Sequence, residues 1–144
     1  MKLEDIINEW KADAKIDRVN LTEESLKVAL MHSKYYEIYI YEKQLLKTHE
    51  EKYKNFELAK WLYYQGKMDE EELKQRGWKQ FDLKLLKTDI QRALDGDSDI
   101  IEYKLKISQQ YEKVEFVKSI LQSIHQRTFA IKNAIEHIKF ESGG

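Results

Sequence analysis

No proline occurs anywhere in the 144 residues, and only five are glycine. Proline ends or kinks a helix and glycine weakens one, so a chain almost free of both can run in long uninterrupted helices. Average usage would place about seven prolines in this length. The glycines stand at Gly66, Gly77, Gly96, Gly143 and Gly144, which divides the sequence at 66–77 and near 96. We read the chain as all-α, a single helical domain over 1–144 built on long amphipathic helices that form an antiparallel helical hairpin. N-terminal helices occupy 1–65, a loop and irregular basic arm 66–98, a long C-terminal helix 99–140 and a flexible tail 141–144.

Residues 3–14 read as a short amphipathic helix with Leu3, Ile6, Ile7 and Trp10 on one side. Thr22 is placed to cap a second helix, with Glu23 and Glu24 at the positive end of its dipole and Leu21 and Leu26 as a hydrophobic staple. The alternating stretch Tyr36-Glu-Ile-Tyr-Ile-Tyr41 is rich in strand formers, but no turn signal brackets it and we read it as helix. Residues 78–92 fit either a short helix or an extended arm. Asp99-Ile-Ile-Glu102 forms a capping box for the last helix. Along that helix Ile107, Tyr111, Val114, Val117, Leu121, Ile124, Thr128, Ile131, Ile135 and Ile138 recur at steps of three and four. Two such helices give a thin core that leaves apolar seams in water, so self-association is expected.

Charged residues form 35% of the chain and hydrophobic ones 42%, a balance that suits helices with one buried stripe. There is no cysteine, which removes disulfides, thiolate metal sites and thiol catalysis. No run is long enough for a membrane span, and Met-Lys-Leu-Glu-Asp at the N-terminus is too acidic for a signal peptide. We therefore expect a cytoplasmic protein. The net charge of −1 is unusual for a nucleic-acid binder. Its signs are segregated, however: residues 74–92 carry a net +4 and residues 93–102 a net −4. A positive track on the folded surface is compatible with that pattern.

Familiar catalytic patterns are missing. His32, His49, His125 and His137 lack metal spacing, because His49-Glu50-Glu51 is followed by tyrosine at 53 where a second histidine is required. Asp95-Gly-Asp-Ser-Asp99 opens like a calcium loop, but Ile100 and Lys106 occupy the positions that need glycine and glutamate. Neither a glycine-rich phosphate loop nor a nucleophile elbow is present. No enzyme activity, metal or cofactor is expected.

The segment from Lys52 to Lys67 alternates lysines and rings. At 100° per residue Lys52, Tyr53, Phe56, Lys60, Tyr63, Tyr64 and Lys67 fall on one face, while Leu58 and Leu62 lie opposite and pack inward. Ammonium groups for phosphates and ring faces for bases are what a sequence-tolerant single-strand binder uses. The competing reading is a core-facing aromatic stripe with lysine stems along its edge, as in a helical scaffold or adaptor without nucleic-acid binding.

Met1-Lys-Leu-Glu-Asp5, Ser33-Lys-Tyr35, Tyr63-Tyr-Gln-Gly66 and Arg127-Thr-Phe-Ala-Ile-Lys132 occur in an order and spacing that resembles the UvsY-type recombination mediators of tailed bacteriophages. The likeness covers nearly the whole chain. It implies a closed homo-oligomeric ring that binds single-stranded DNA and assists loading of a RecA-type recombinase onto strands covered by single-strand-binding protein, in the host cytoplasm. It further implies that the basic-aromatic element is Leu58-Ala-Lys-Trp-Leu-Tyr-Tyr-Gln-Gly66. Lys60 matches a basic position of that pattern. Leu58 replaces a second one, for which Lys54 or Lys67 can compensate. Candidate nucleic-acid-binding residues are thus Lys52, Lys54, Lys60, Trp61, Tyr63, Tyr64 and Lys67. The resemblance also assigns assembly to the end of the last helix, making Leu121, Ile124, Phe129, Ile131, Ile135 and Ile138 the candidate oligomerisation residues.

Overall fold

A computed structural model describes residues 1–143 and is all-helical across them. The elements are α1 (Leu3–Asp13), α2 (Leu21–Tyr64), α3 (Glu70–Arg76), α4 (Lys87–Asp95) and α5 (Ser98–Glu141). Both α2 and α5 run for 44 residues without a break, each about 66 Å long at 1.5 Å per residue. The Tyr36–Tyr41 stretch lies within α2. Gly144, the last residue of the expected tail, lies outside the described residues. The chain packs as two compact units, one made of residues 1–44 and 111–143, the other of residues 45–110.

In the first unit α1, the start of α2 and the end of α5 share a core of Ile6, Tyr35, Val117, Ile120 and Ile124. Trp10 meets Tyr35 edge to face at 5.5 Å. The Tyr35 hydroxyl donates to Asp13 at 2.7 Å, which satisfies a polar atom inside an apolar cluster. Arg127 is buried and donates to Glu24 at 2.6 Å and to the carbonyls of Ala14 and Lys15 at 2.8 and 3.0 Å. One guanidinium therefore joins the end of α1, the start of α2 and the body of α5. The buried line of α5 in this unit runs Val114, Val117, Ile120, Ile124, Arg127 and Ile131, whereas Tyr111, Thr128 and Ile138 are exposed. The seam read from sequence is rotated by a residue along part of its length, because Ile120 and Arg127 face inward beside it.

Two caps differ from the sequence expectation. Helix α2 begins at Leu21, so Thr22 is already inside it. The Asp17 carboxylate accepts from the Val19 amide and the Asn20 side chain, and the Asn20 carbonyl takes the Glu24 amide. That turn starts the helix early. Leu26 is exposed, so no staple forms with buried Leu21. At α5 the cap is Asp97, whose Oδ1 accepts the Ile100 amide at 2.9 Å, leaving Asp99 in the first turn with another task.

The second unit contains the end of α2, α3, α4 and the start of α5 around Ile90, Leu94 and Ile100. The expected irregular arm over 66–98 is more ordered than its sequence suggested. Asp69 accepts the Glu72 amide at 2.7 Å and caps α3, and the acidic first turn complements the dipole. Gly77 ends α3 with φ of 72°, a conformation other residues avoid. Only residues 77–86 remain irregular between α3 and α4. Among the described residues, no helix is long and apolar enough to cross a membrane.

Candidate nucleic-acid interface

The final turns of α2 place Phe56, Lys60, Tyr63 and Tyr64 on one side, at successive steps of three or four. Within the second unit that side meets the arm and the start of α5. Phe56 stacks on Tyr103 at 5.3 Å and meets the edge of Trp78 at 6.0 Å. Tyr63 contacts Trp78 at 5.3 Å and Phe81 at 5.6 Å. Tyr64 meets Phe81 at 5.1 Å. Edge-to-face and offset contacts at these separations are the favoured ring geometries.

Lys60 sits in the middle of this cluster and is 4% exposed. Its ammonium lies 3.0 Å from Asp97, 2.9 Å from Asp99 and 4.2 Å over the Trp78 ring. A buried cation needs such partners, since an ion taken from water unpaired costs several kcal/mol. Asp97 in turn receives the Tyr64 hydroxyl, the Ile100 amide and Lys60. Burial pushes its carboxyl upward, but those bonds and the Lys60 charge outweigh burial and hold it below the ordinary value of 3.8. Burial, followed by donation to Asp97, pushes the Tyr64 phenol well above its usual range.

The inward face of this segment is therefore the one the sequence assigned to solvent. Tyr63 and Tyr64 are half-buried and Lys60 is enclosed, whereas Leu58, expected to pack inward, is 53% exposed and Leu62 is half-buried. The rings outnumber the leucines as apolar surface, and the arm supplies a second set of rings to receive them. Lys52, Lys54, Trp61 and Lys67 are exposed, with Lys54 3.1 Å from Glu51 on its own helix. Of the oligomerisation candidates, Ile124 and Ile131 belong to the core of the first unit and Leu121 packs against it. Ile135 is half-buried, and Phe129 and Ile138 are exposed at 57% and 47%.

Sequence reasoning missed Trp78, Phe81, Asp97 and Tyr103 as members of the cluster. Asp97 was findable, because an aspartate after Gly96 and three residues before Ile100 is a cap signal. The rings carry no local signal, since their partners are far along the chain. Among the described residues no group of three or more histidines, aspartates or glutamates is placed to hold a metal ion. An open groove is lined by Tyr64, Gly66, Lys67, Gln80, Phe81, Asp82 and Lys84.

Fold and site together define an all-helical protein that carries a lysine-and-ring segment near the end of one long helix and a basic arm after it. Residues 9–144 match the family described as "Recombination, repair and ssDNA binding protein UvsY", and the chain belongs to that family. It is 29% identical over 146 residues to recombination protein uvsY of Enterobacteria phage T4, covering 99% of both chains. Two crystal structures of the bacteriophage T4 recombination mediator protein UvsY share its fold. One, lattice type II, has a TM-score of 0.84 at 25% identity and covers 99% of this chain and 98% of the other. The second, lattice type IV, has a TM-score of 0.85 at 24% identity, covering 97% and 99%.

Proposed function

We propose that this protein binds single-stranded DNA as a homo-oligomeric ring and helps a RecA-type recombinase nucleate on strands covered by single-strand-binding protein. It acts as a mediator and not as an enzyme, in the host cytoplasm. The observation that carries the reading is the match of residues 9–144 to a recombination and ssDNA-binding family. The exposed side chains Lys52, Lys54, Trp61 and Lys67 support it, offering cations and a ring face. A near-neutral protomer can still hold a polyanion when several protomers each contribute a small patch, since linked contacts gain avidity without new chemistry. The exposed Phe129 and Ile138 suit the assembly role expected for the end of α5. Residues 21–44 share a unit with 111–143, and 45–64 with 98–110, which supports the antiparallel hairpin.

Titrating a labelled oligonucleotide at several salt concentrations tests the reading. Affinity is expected to fall steeply as salt rises, because each phosphate contact releases counterions. Absent or salt-independent binding would defeat it. A second reading, a helical scaffold without nucleic-acid binding, draws on the half-burial of Phe56, Tyr63 and Tyr64 in their own unit. Trp61→Ala separates the two, since a ring that stacks on bases should cost DNA affinity while leaving thermal stability nearly unchanged.

A further inference from the structure

We propose that the irregular arm at residues 77–86, with Lys67 and Lys87 beside it, is the phosphate-contacting face for single-stranded DNA, and that Lys60 positions this face without touching the strand. The proposal rests on the single-strand reading above and names its contact residues. Lys60 is ill placed to meet a phosphate. Its ammonium already has Asp97 at 3.0 Å, Asp99 at 2.9 Å and the Trp78 ring at 4.2 Å. A strand would have to displace two carboxylates to reach it.

The arm offers what Lys60 does not. Tyr63 donates its hydroxyl to the Lys79 carbonyl at 2.6 Å, and Phe81 packs on both Tyr63 and Tyr64. Trp78, at the start of the arm, lies under the Lys60 ammonium. Helix α2 thus fixes the arm backbone on either side of Gln80. From this pinned stretch and its end, Lys79, Lys84 and Lys87 are exposed, as is Lys67 in the turn after α2. Among the described residues none of these four ammonium groups makes a hydrogen bond or ion pair. Residues 77–87 set three lysines against one acid, Asp82. Lys67 and Lys84 line the same open groove as Asp82, with Phe81 and Tyr64 along it. Fixed backbone, free cations and partly exposed rings form a site that follows a sugar-phosphate chain and tolerates any base.

The test compares full-length variants by titration of labelled oligo(dT) across a range of salt. Lys79→Ala, Lys84→Ala and Lys87→Ala combined are expected to lower affinity roughly tenfold or more at low salt. The log–log salt slope should become shallower by about 0.7 for each phosphate that is no longer neutralised. All three side chains are exposed, so circular dichroism should be unchanged. Lys60→Met is expected to weaken binding with the slope retained, and Lys60→Arg, which keeps a cation over the ring, to restore it. If the wild type shows no salt-dependent binding, the single-strand reading itself fails. If the wild type binds and the triple variant matches it in affinity and slope, the arm serves another partner and the inference is overturned. A slope reduced in Lys60→Met by the same increment would make Lys60 a direct phosphate ligand and overturn the positioning role.

Discussion

The Lys60 ammonium lies 3.0 Å from the Asp97 carboxylate, and both side chains are almost wholly enclosed. Asp97 is also the cap of α5 and the acceptor of the Tyr64 hydroxyl. One carboxylate therefore joins the end of α2 to the start of α5. Removing Lys60 leaves that enclosed carboxylate without its cation, whereas removing Asp97 leaves the ammonium to the exposed Asp99. We expect Lys60→Met to destabilise the protein by about 3–5 kcal/mol, as for other broken buried pairs. Lys60→Met with Asp97→Asn should cost less than the sum of the two single changes, since they share one network. Urea denaturation at fixed protein concentration checks both, and strict additivity would show that the pair is not coupled.

The same carboxylate gives the fold an acid-sensitive component. Asp97 is held below its ordinary value of 3.8 in the folded chain, so the unfolded chain takes up its proton first as pH falls. The stabilisation is complete above the ordinary value and is lost as pH drops through the lower folded value. Thermal scans from neutral to acid pH should therefore show a decline that Asp97→Asn flattens. An unchanged acid limb in that variant would assign the decline to other carboxylates, such as Asp13, which is also lowered.

Tyr64 contributes a hydroxyl as well as a ring. Tyr64→Phe keeps the packing on Phe81 and removes only the donor to Asp97. We expect a loss of about 1.5–3 kcal/mol, the range for a hydrogen bond to a charged group. A variant as stable as the wild type would mean that water replaces the hydroxyl without cost.

Leu58 is an exposed position on a face that also carries Trp61. Leu58→Lys should raise oligonucleotide affinity and steepen the salt slope by about 0.7 if the strand passes this face. It should leave stability within about 0.5 kcal/mol, as surface changes usually do. No gain in affinity would place the strand elsewhere.

Assembly and folding separate along α5. Ile124→Ala removes a core side chain of the first unit and should cost about 2–5 kcal/mol. Phe129→Ser alters a side chain that is 57% exposed and should shift the oligomeric state in light scattering at constant protomer helicity. A large stability loss with unchanged assembly for Phe129→Ser would contradict this division.

The long helices were legible because their signal is local: no proline, few glycines and stripes at helical period. Which face of α2 turns inward was not. Tyr53, Phe56, Tyr63 and Tyr64 form one apolar arc and Leu58 and Leu62 another, and periodicity alone does not rank them. The choice is made by Trp78, Phe81, Ile90 and Tyr103, which the chain delivers from other elements. Lys60 was misplaced for the same reason, since its partners lie 37 and 39 positions away at Asp97 and Asp99. Helix α3 was within reach of the sequence. Asp69 as cap, Glu70 to Glu72 in the first turn and Gly77 at the end spell a short helix inside the 66–98 stretch that we read as loop and irregular arm.

Arg127 and Glu24 meet across 103 positions of sequence, whereas every residue of the second unit lies between Leu45 and Gln110. Chains emerge from the ribosome N-terminus first, and closing a long loop costs more entropy than closing a short one. The ring cluster around Lys60 can therefore assemble while the last helix is still being made. The unit that holds α1 must wait for Arg127, so α1 is made before the second unit yet finds its place after it.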